Sequence, residues 1–322
     1  MTIEELNNKW VGISENNITS GFKSIRISSE CISDLFVGIN VDANRCLILS
    51  IPPSYKLDFK PVIKENLTIE YFKEKKLVVL QLTDNSYYDL FDDLIISLYQ
   101  RIKDVTIVDE YSKEFIHTFY KWSEFFDDKK SELLSENIIK GLFGEVLFLK
   151  ELVDTANSST INETLSFWKG PYDKGHDFEM PSRDIEIKTK DITHQEVKIS
   201  SEYQLEPNFG KQMELTVVSV ENDSQNGLSL KDLLFATKKA ITDFLGDSSI
   251  LLKALSQKGL SFKNVHRYDH FRFKPISMIT YNCLAEGFPK LIKSNIQKEI
   301  NTINYNIRLT TLSNFSISQK EF

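Results

Sequence analysis

The sequence contains little cysteine. Its three cysteines, Cys31, Cys46 and Cys283, are far apart in the chain, and no two of them form a CxxC pair. Structural zinc sites use closely spaced ligand pairs, and disulfide frameworks are typical of short, cysteine-rich secreted chains. The spacing therefore predicts neither kind of site, and it favours buried free thiols in a reducing compartment.

Long apolar segments are also missing from the sequence. The first ten residues, MTIEELNNKW, are polar and lack the apolar stretch of a secretory signal. The apolar runs at 77–80 and 94–98 are too short to cross a bilayer. We therefore expect a cytoplasmic protein that does not associate with a membrane.

The chain has no excess of positive charge. Its net charge is −7, which argues against a general nucleic-acid coat because such proteins are basic. A local basic rim remains compatible with this value, since Lys169, Lys174, Arg183, Lys190 and Lys198 form a modest concentration. The sequence also lacks internal repeats and a P-loop, so it predicts no ATP-driven activity within this chain.

The length and composition describe a folded chain with a sizeable core. The 322 residues, 41% of them hydrophobic, suggest two domains or one large domain with additions. Four strand patterns, at 18–28, 34–42, 45–51 and 76–84, are followed by an amphipathic helix at 87–103 and predict a β-rich accessory domain at 1–108. We expect a core domain at 109–225 and an α+β extension at 226–322 that packs on it, giving a mixed α/β (α+β) fold.

The most informative stretch is residues 168–190, WKGPYDKGHDFEMPSRDIEIKTK. In its second half Asp184, Glu186, Lys188 and Lys190 alternate with isoleucine and threonine. Side chains along a strand point alternately to its two faces. The pattern therefore predicts a strand with two acids and two lysines on one face and isoleucines facing a core.

A second short strand pattern, HDFEM, contains Asp177, which stands nine residues before Glu186. Two neighbouring strands can bring Asp177, Glu186 and Lys188 close together. Two carboxylates and one ammonium at the mouth of a sheet suit a hard divalent cation and a phosphate. A solvated strand face with cross-strand ion pairs is an alternative that the pattern leaves open.

Residues 135–153, SENIIKGLFGEVLFLKELV, are apolar around most of a helix, as expected for a helix packed on both sides. Gly141 and Gly144 would let another backbone approach closely. Glu145 lies among apolar residues, where a carboxylate needs a cation, hydrogen bonds or a raised pKa. We favour a role for Glu145 at the same site over a structural salt bridge.

The rest of the chain is predicted from simpler patterns. Residues 154–166 are typical of a polar loop. Residues 200–207, SSEYQLEP, predict a short helix behind a serine cap, with Gln204 directed towards the site. Further helices are predicted at 111–134, 228–245 and 250–257, and further strands at 196–200, 213–222, 271–281 and 305–312.

The succession GLFGEVLFLKEL, FWKGP, HDFEM, IEIKTK and KISSEYQL resembles the PD-(D/E)XK nuclease superfamily. More closely, it is similar to a family of bacterial PD-(D/E)XK motif proteins of largely undefined function. Those proteins are typically encoded near DNA methyltransferases, helicases and ATPases of restriction and phage-defence loci. GFPKL and NYNIRL share the likeness, which covers most of the chain. It implies that the core at 109–225 is a restriction-endonuclease-like mixed sheet flanked by helices.

The resemblance also implies roles for individual residues. Asp177 corresponds to the motif aspartate, Glu186 to the second acid and Lys188 to the motif lysine. Glu145 matches the helix glutamate that many members place at the site. The backbone carbonyl of Ile187 would supply a further oxygen for the metal ion.

Three further residues are candidates for contact with the substrate: His176, Gln204 and Lys190. His176 stands where a proline usually precedes the motif aspartate. This departure from the family pattern removes no metal ligand.

The implied function is an Mg²⁺-dependent DNA endonuclease of a restriction–modification or phage-defence system, with Mn²⁺ as a substitute ion. Helicase, ATPase or methyltransferase subunits are the expected partners besides DNA. The alternative is a catalytically weak or inactive DNA-binding or scaffold subunit of such a complex. One active site cuts one strand, so a double-strand break would need a homodimer or two sequential nicks.

Overall fold

The chain forms two compact units in its computed structural model, Met1–Lys130 and Ser131–Phe322. Both units mix helices and strands, so the predicted mixed α+β class is confirmed. The structure describes residues 1–13, 19–127, 133–173, 175–300 and 303–322.

The first unit contains a six-stranded antiparallel sheet and helices, among its described residues. When its six strands are numbered in chain order, they lie side by side in the sheet in the order first, second, third, sixth, fifth, fourth. The four strands predicted here and the helix predicted at 87–103 are confirmed, whereas one helix and two strands were not predicted. In chain order the elements are α1 (Ile3–Gly12), β1 (Phe22–Arg26), β2 (Asp34–Asn40), β3 (Arg45–Ser50), β4 (Val62–Ile63), β5 (Leu67–Phe72), β6 (Leu77–Leu82), α2 (Tyr88–Ile102) and α3 (Val108–Ser123). The unpredicted elements are α1, β4 and β5.

The second unit contains a six-stranded mixed sheet, a separate two-stranded ladder and four helices among its described residues. In chain order the elements are α4 (Glu136–Thr155), α5 (Ile161–Ser166), β7 (Phe178–Glu179), β8 (Arg183–Asp191), β9 (Glu196–Ile199), β10 (Gln212–Asn222), β11 (Leu228–Ser229), α6 (Leu230–Asp243), α7 (Ser249–Gln257), β12 (Arg272–Asn282), β13 (Tyr305–Arg308) and β14 (Ser316–Glu321). The sheet order is β11-β12-β10-β8-β7, with β14 paired to β12, and β9 pairs with β13.

Strand β10 is the centre of this sheet. It runs parallel to β8 and antiparallel to β12. Val218 and Val220 pack in the core that also contains the helices α4 and α6. Met213, Leu215 and Val217 pack in a second core with β9 and β13. A strand covered on both faces carries a nearly continuous apolar run, which explains the β-branched sequence of β10.

Helix α4 approaches β8 closely through Gly144. A Cβ atom at this position would lie 1.9 Å from Thr189 Oγ1, so a larger residue would clash. A close approach is therefore present at Gly144, but the neighbour is the Thr189 side chain and not the predicted backbone. At Gly141 a Cβ atom would meet nothing within 4 Å, although Thr189 Oγ1 donates a weak hydrogen bond to the Gly141 carbonyl (3.5 Å).

Two local predictions in this unit are wrong. The predicted loop at 154–166 contains helix α5, because Ile161 and Leu165 become buried when the helix packs. The predicted helix at 200–207 is a series of turns. Its Gln204 side chain turns back on the loop, where Oε1 accepts a hydrogen bond from the Ser200 amide (2.7 Å).

The ends of other elements differ from the prediction. Helix α3 begins at Val108 and ends at Ser123, and residues 128–132 of the predicted segment lie outside the described residues. Strand β13 ends at Arg308, before two short 3-10 turns. None of the helices in the described part of the chain combines the length and apolar composition needed to span a bilayer.

The two compact units differ from the three predicted domains. Helix α3 packs against α2 and so belongs to the first unit, although the predicted boundary was at 108/109. Residues 226–322, expected to pack on the core from outside, contribute β12 to the same sheet as β8 and β10. The second unit therefore contains both the expected core and the expected extension.

Candidate active site

Strands β7 and β8 place the first motif acid beside the second. They pair antiparallel, with Phe178 opposite Ile185, so Asp177, directly before β7, lies next to the middle of β8. Its Oδ2 accepts a hydrogen bond from the Ile187 amide (2.8 Å). The backbone of β8 thus fixes one oxygen of this carboxylate.

Glu186 and Lys188 project from the same face of β8. Lys188 Nζ donates a hydrogen bond to Glu186 Oε1 (2.7 Å). Ile185 and Ile187 face the core on the other side, as predicted. The charged face is also covered, because Glu186 is only 2% exposed, so the alternative of a solvated strand face does not hold at this position.

Glu145 reaches the two strands from helix α4. Trp168 Nε1 donates a hydrogen bond to Glu145 Oε2 (2.8 Å). A Cβ atom on Gly170 would lie 2.2 Å from this oxygen and 2.8 Å from Asp177 Oδ1, so the two oxygens are at most 5.0 Å apart. The amides of Lys169 and Gly170 both donate to the Asp177 carbonyl (2.7 and 3.0 Å), which holds this turn against the acids.

Burial raises the pKa of all three acids. For Glu145 and Glu186, repulsion from a neighbouring carboxylate raises the pKa further. The pKa of Glu186 rises to about 8, because burial and the charge of Asp177 outweigh the ion pair with Lys188. The pKa of Asp177 is raised by burial, against its backbone hydrogen bond and the charge of Lys188. Burial and then Asp177 raise the pKa of Glu145 well above its ordinary value, against the hydrogen bond from Trp168. Groups of strongly perturbed acids are typical of functional sites.

A protein-family model described as "Putative PD-(D/E)XK family member, (DUF4420)" matches residues 6–310. The chain belongs to this family. The resemblance to the PD-(D/E)XK superfamily is thereby confirmed, and membership indicates a nuclease-type fold and hydrolase class. No curated protein and no solved structure shows a significant match to the chain.

Nucleases of the PD-(D/E)XK type generally use divalent metal ions, and the donor atoms here fit one chemically. Three carboxylates are the ligands that hard divalent cations prefer, and the space that a Cβ on Gly170 would fill is bordered by oxygens of Glu145 and Asp177. Among the described residues, however, no three acidic, histidine or cysteine side chains are grouped as ligands of one ion. Glu186 Oε1 instead contacts Lys188, and Glu145 Oε2 contacts Trp168.

His176, which precedes the motif aspartate, is buried beside Asp184. Its Nδ1 lies 3.8 Å from Asp184 Oδ2, and Lys211 Nζ donates to the other oxygen of Asp184 (2.9 Å). Neither ring nitrogen of His176 has a hydrogen-bond partner in the described part of the chain. The imidazole is 4% exposed, so a candidate for substrate contact lies below the surface.

The other two candidates for substrate contact bond to groups nearby in the sequence. Lys190 Nζ donates to the Asp191 carbonyl (3.3 Å), and partial burial lowers the pKa of Lys190. Gln204 accepts from the Ser200 amide. The structure therefore brings Glu145, Asp177, Glu186 and Lys188 of the predicted site together and gives Lys190 and Gln204 other partners.

The predicted basic rim is described only in part. Arg183 Nη1 contacts Glu214 Oε2 (3.3 Å), and Lys198 is exposed on β9. Lys174 lies outside the described residues.

Lys258 was not predicted, although its charge acts on the site. It follows α7, and its Nζ forms an ion pair with Asp173, directly after the turn Gly170–Tyr172. Its positive charge opposes the rise in the pKa of both Glu145 and Asp177. No local pattern marks this lysine, which belongs to a different part of the sequence from the motif.

Proposed function

We propose that the protein is a metal-dependent DNA endonuclease that hydrolyses phosphodiester bonds, with Mg²⁺ as its ion and Mn²⁺ as a substitute. The observation that carries this proposal is the convergence of Glu145, Asp177, Glu186 and Lys188 in a member of a PD-(D/E)XK family. Three acids whose pKa values are raised by burial repel one another when ionised. A bound cation would relieve that repulsion.

Asp177 and Glu186 would hold the ion, with the Ile187 carbonyl as a further oxygen and Glu145 acting through a water or a second ion. When bound, a divalent ion polarises the scissile phosphate and lowers the pKa of a bound water. The Ile187 amide holds Asp177 Oδ2, which leaves Oδ1 beside the space at Gly170. The Trp168 indole fixes Glu145 in the same way.

Lys188 would orient the attacking water and stabilise negative charge on the phosphate as a compact cation. Its contact with Glu186 supports this role, because it holds the ammonium among the acids. Lys188 is 16% exposed in its side chain, so part of it remains open to solvent.

We further propose that the enzyme is the nuclease component of a cytoplasmic restriction–modification or phage-defence system. The order of its motifs resembles proteins encoded in such loci. Because the sequence has no P-loop, any ATP-driven step would come from helicase or ATPase partners, and a methyltransferase subunit would mark host DNA. A homodimer would supply the two active sites that a double-strand break needs.

A second candidate function is a DNA-binding or scaffold subunit that cuts little or nothing. It is favoured by the side chains of Lys188 and Trp168, which occupy oxygens of Glu186 and Glu145. A calorimetric titration with Mn²⁺ separates the two. Saturable binding that is lost in Asp177→Asn supports the nuclease, and no binding supports the scaffold.

Plasmid cleavage tests the proposed chemistry directly. Wild type and Lys188→Ala are incubated with methylated and unmethylated plasmid in Mg²⁺, Mn²⁺ or EDTA. We expect metal-dependent nicking or linearisation by wild type, and a loss of at least about 10²-fold in Lys188→Ala, as for removal of one group that stabilises transition-state charge. Lys239→Ala on α6 is the control, since Lys239 is an exposed lysine paired only with Asp243 among its described contacts.

The control variant should cut like wild type, and circular dichroism should show that all three proteins are folded. Cleavage by Lys188→Ala at the wild-type rate would contradict the role of this lysine. If wild type does not cut under any condition, the titration with Mn²⁺ decides between a missing partner and the scaffold function.

A further inference from the structure

We propose that Lys258 binds a phosphate of the bound DNA that lies next to the scissile phosphate. To reach it, Lys258 exchanges its ion pair with Asp173 for this phosphate. This inference rests on the proposed function, since it assigns a DNA contact to the same site. It adds a second cation that comes from outside the PD-(D/E)XK motif.

The turn Gly170–Tyr172 connects Lys258 to the acids. Its Gly170 lies against oxygens of Glu145 and Asp177, as the close approach of a Cβ there shows. Asp173 follows directly and pairs with Lys258 Nζ. The ion pair therefore lies one residue beyond the turn that covers the carboxylates.

The two partners of this ion pair differ in their exposure. The side chain of Lys258 is 23% exposed, whereas that of Asp173 is 81% exposed. Helix α7, which ends just before Lys258, packs against the turn, so the base of the lysine side chain is held in place. An ion pair with such an exposed carboxylate contributes little to stability, and a phosphate could replace the carboxylate at small cost.

The charges of the site favour an additional cation. Three acids stand against one motif lysine, Lys188, and a DNA phosphate brings further negative charge. The ammonium of Lys258 pairs with Asp173, one residue beyond the turn whose Gly170 borders oxygens of Glu145 and Asp177. A cation in this place would offset the repulsion between the acids and a phosphate.

The alternative is that the Lys258–Asp173 pair only joins α7 to the turn. In that case Lys258→Gln and Asp173→Asn should act alike, through a small loss of stability, and neither should change how DNA binding depends on salt. A phosphate contact makes a different prediction, because each lysine that neutralises a phosphate releases a counterion on binding.

The test measures binding of a labelled DNA duplex over a range of salt concentrations, in Ca²⁺ and separately in EDTA. Relative to wild type, Lys258→Gln should make the slope of log K against log salt less negative by about 0.9. The control is Lys253→Gln, which removes the same charge from an exposed position on α7. Its slope should equal that of wild type.

Asp173→Asn gives an independent readout, because it removes the carboxylate that competes with the phosphate. We expect it to bind DNA about two- to fivefold more tightly, the equivalent of one exposed ion pair. The double variant Asp173→Asn/Lys258→Gln should bind like Lys258→Gln alone, since the gain requires the lysine.

Each outcome has one meaning. An unchanged slope in Lys258→Gln, with wild-type protein that binds DNA, overturns this inference and leaves the proposed function intact. A changed slope in a protein that neither cuts DNA nor binds Mn²⁺ supports the phosphate contact and overturns the nuclease activity. Wild-type protein that binds no DNA overturns both proposals.

Discussion

Glu186→Gln should stabilise the folded protein at alkaline pH. Burial, followed by repulsion from Asp177, raises the pKa of Glu186 from 4.5 to about 8. Glutamine has nearly the same shape, and its Oε1 can still accept the hydrogen bond from Lys188 Nζ. The substitution therefore removes the buried negative charge while it keeps the local contacts.

The size of the effect follows from the difference between the folded and unfolded pKa of Glu186. Because the folded pKa is the higher one, the folded state prefers the protonated carboxyl. The stability that this group contributes is complete below about pH 4.5 and is lost as the pH rises through about 8. At 1.36 kcal/mol per pKa unit, the loss is at most about 5 kcal/mol, equivalent to a difference in Tm on the order of 10 °C for a domain of this size.

Thermal unfolding in EDTA, followed by circular dichroism between about pH 4 and pH 9, measures this difference. We expect Glu186→Gln and wild type to have similar Tm values at the acidic end and to diverge progressively above it. The control is Glu221→Gln, which changes an exposed glutamate on β10 and should follow wild type at every pH. A Tm difference that is independent of pH, or a variant less stable than wild type at pH 9, would refute the reasoning.

Two further substitutions test the close contacts of α4 and of the turn before β7. Gly170→Ala would place a Cβ 2.2 Å from Glu145 Oε2. We expect this variant to fold and its affinity for Mn²⁺, measured by calorimetry, to fall at least about tenfold. An unchanged affinity would contradict a cation site beside Gly170. Gly144→Ala would place a Cβ 1.9 Å from Thr189 Oγ1 and should lower the free energy of unfolding in urea by about 1–3 kcal/mol. Thr189→Ala in the same chain should restore part of that loss, whereas no restoration would contradict the proposed clash.

The motif strands could be predicted because their information is local. The alternation of charged and apolar residues in IEIKTK defines a strand whatever it packs against. Asp177 and Ile187 are close in sequence, so the short connection between β7 and β8 makes them neighbours in the sheet. The sequence also marked Glu145, since a carboxylate within an apolar helix requires a specific partner.

Other features depended on contacts that the sequence does not display. The charged face of Glu186 is covered because β9 and β13 form a layer over that side of the sheet with Leu215 and Val217 of β10. Helix α5 was predicted as a loop because its polar composition outweighed the burial of Ile161 and Leu165. Lys258 could not be assigned to the site without the packing of α7 on the turn at Gly170.

The stability test on Glu186→Gln and metal binding at the proposed site both depend on the free energy of keeping the Glu186 charge buried beside Asp177. Burial and then repulsion from Asp177 raise the pKa of Glu186, and both weaken the folded chain when this acid ionises. A bound cation would offset both effects. By mass action, a ligand that binds only the folded state stabilises it according to its affinity. A variant that gains stability because it lost one of these charges must therefore gain less from added metal. If Glu186→Gln and wild type were stabilised equally by Mn²⁺ at alkaline pH, the carboxylate would be buried for a reason other than cation binding.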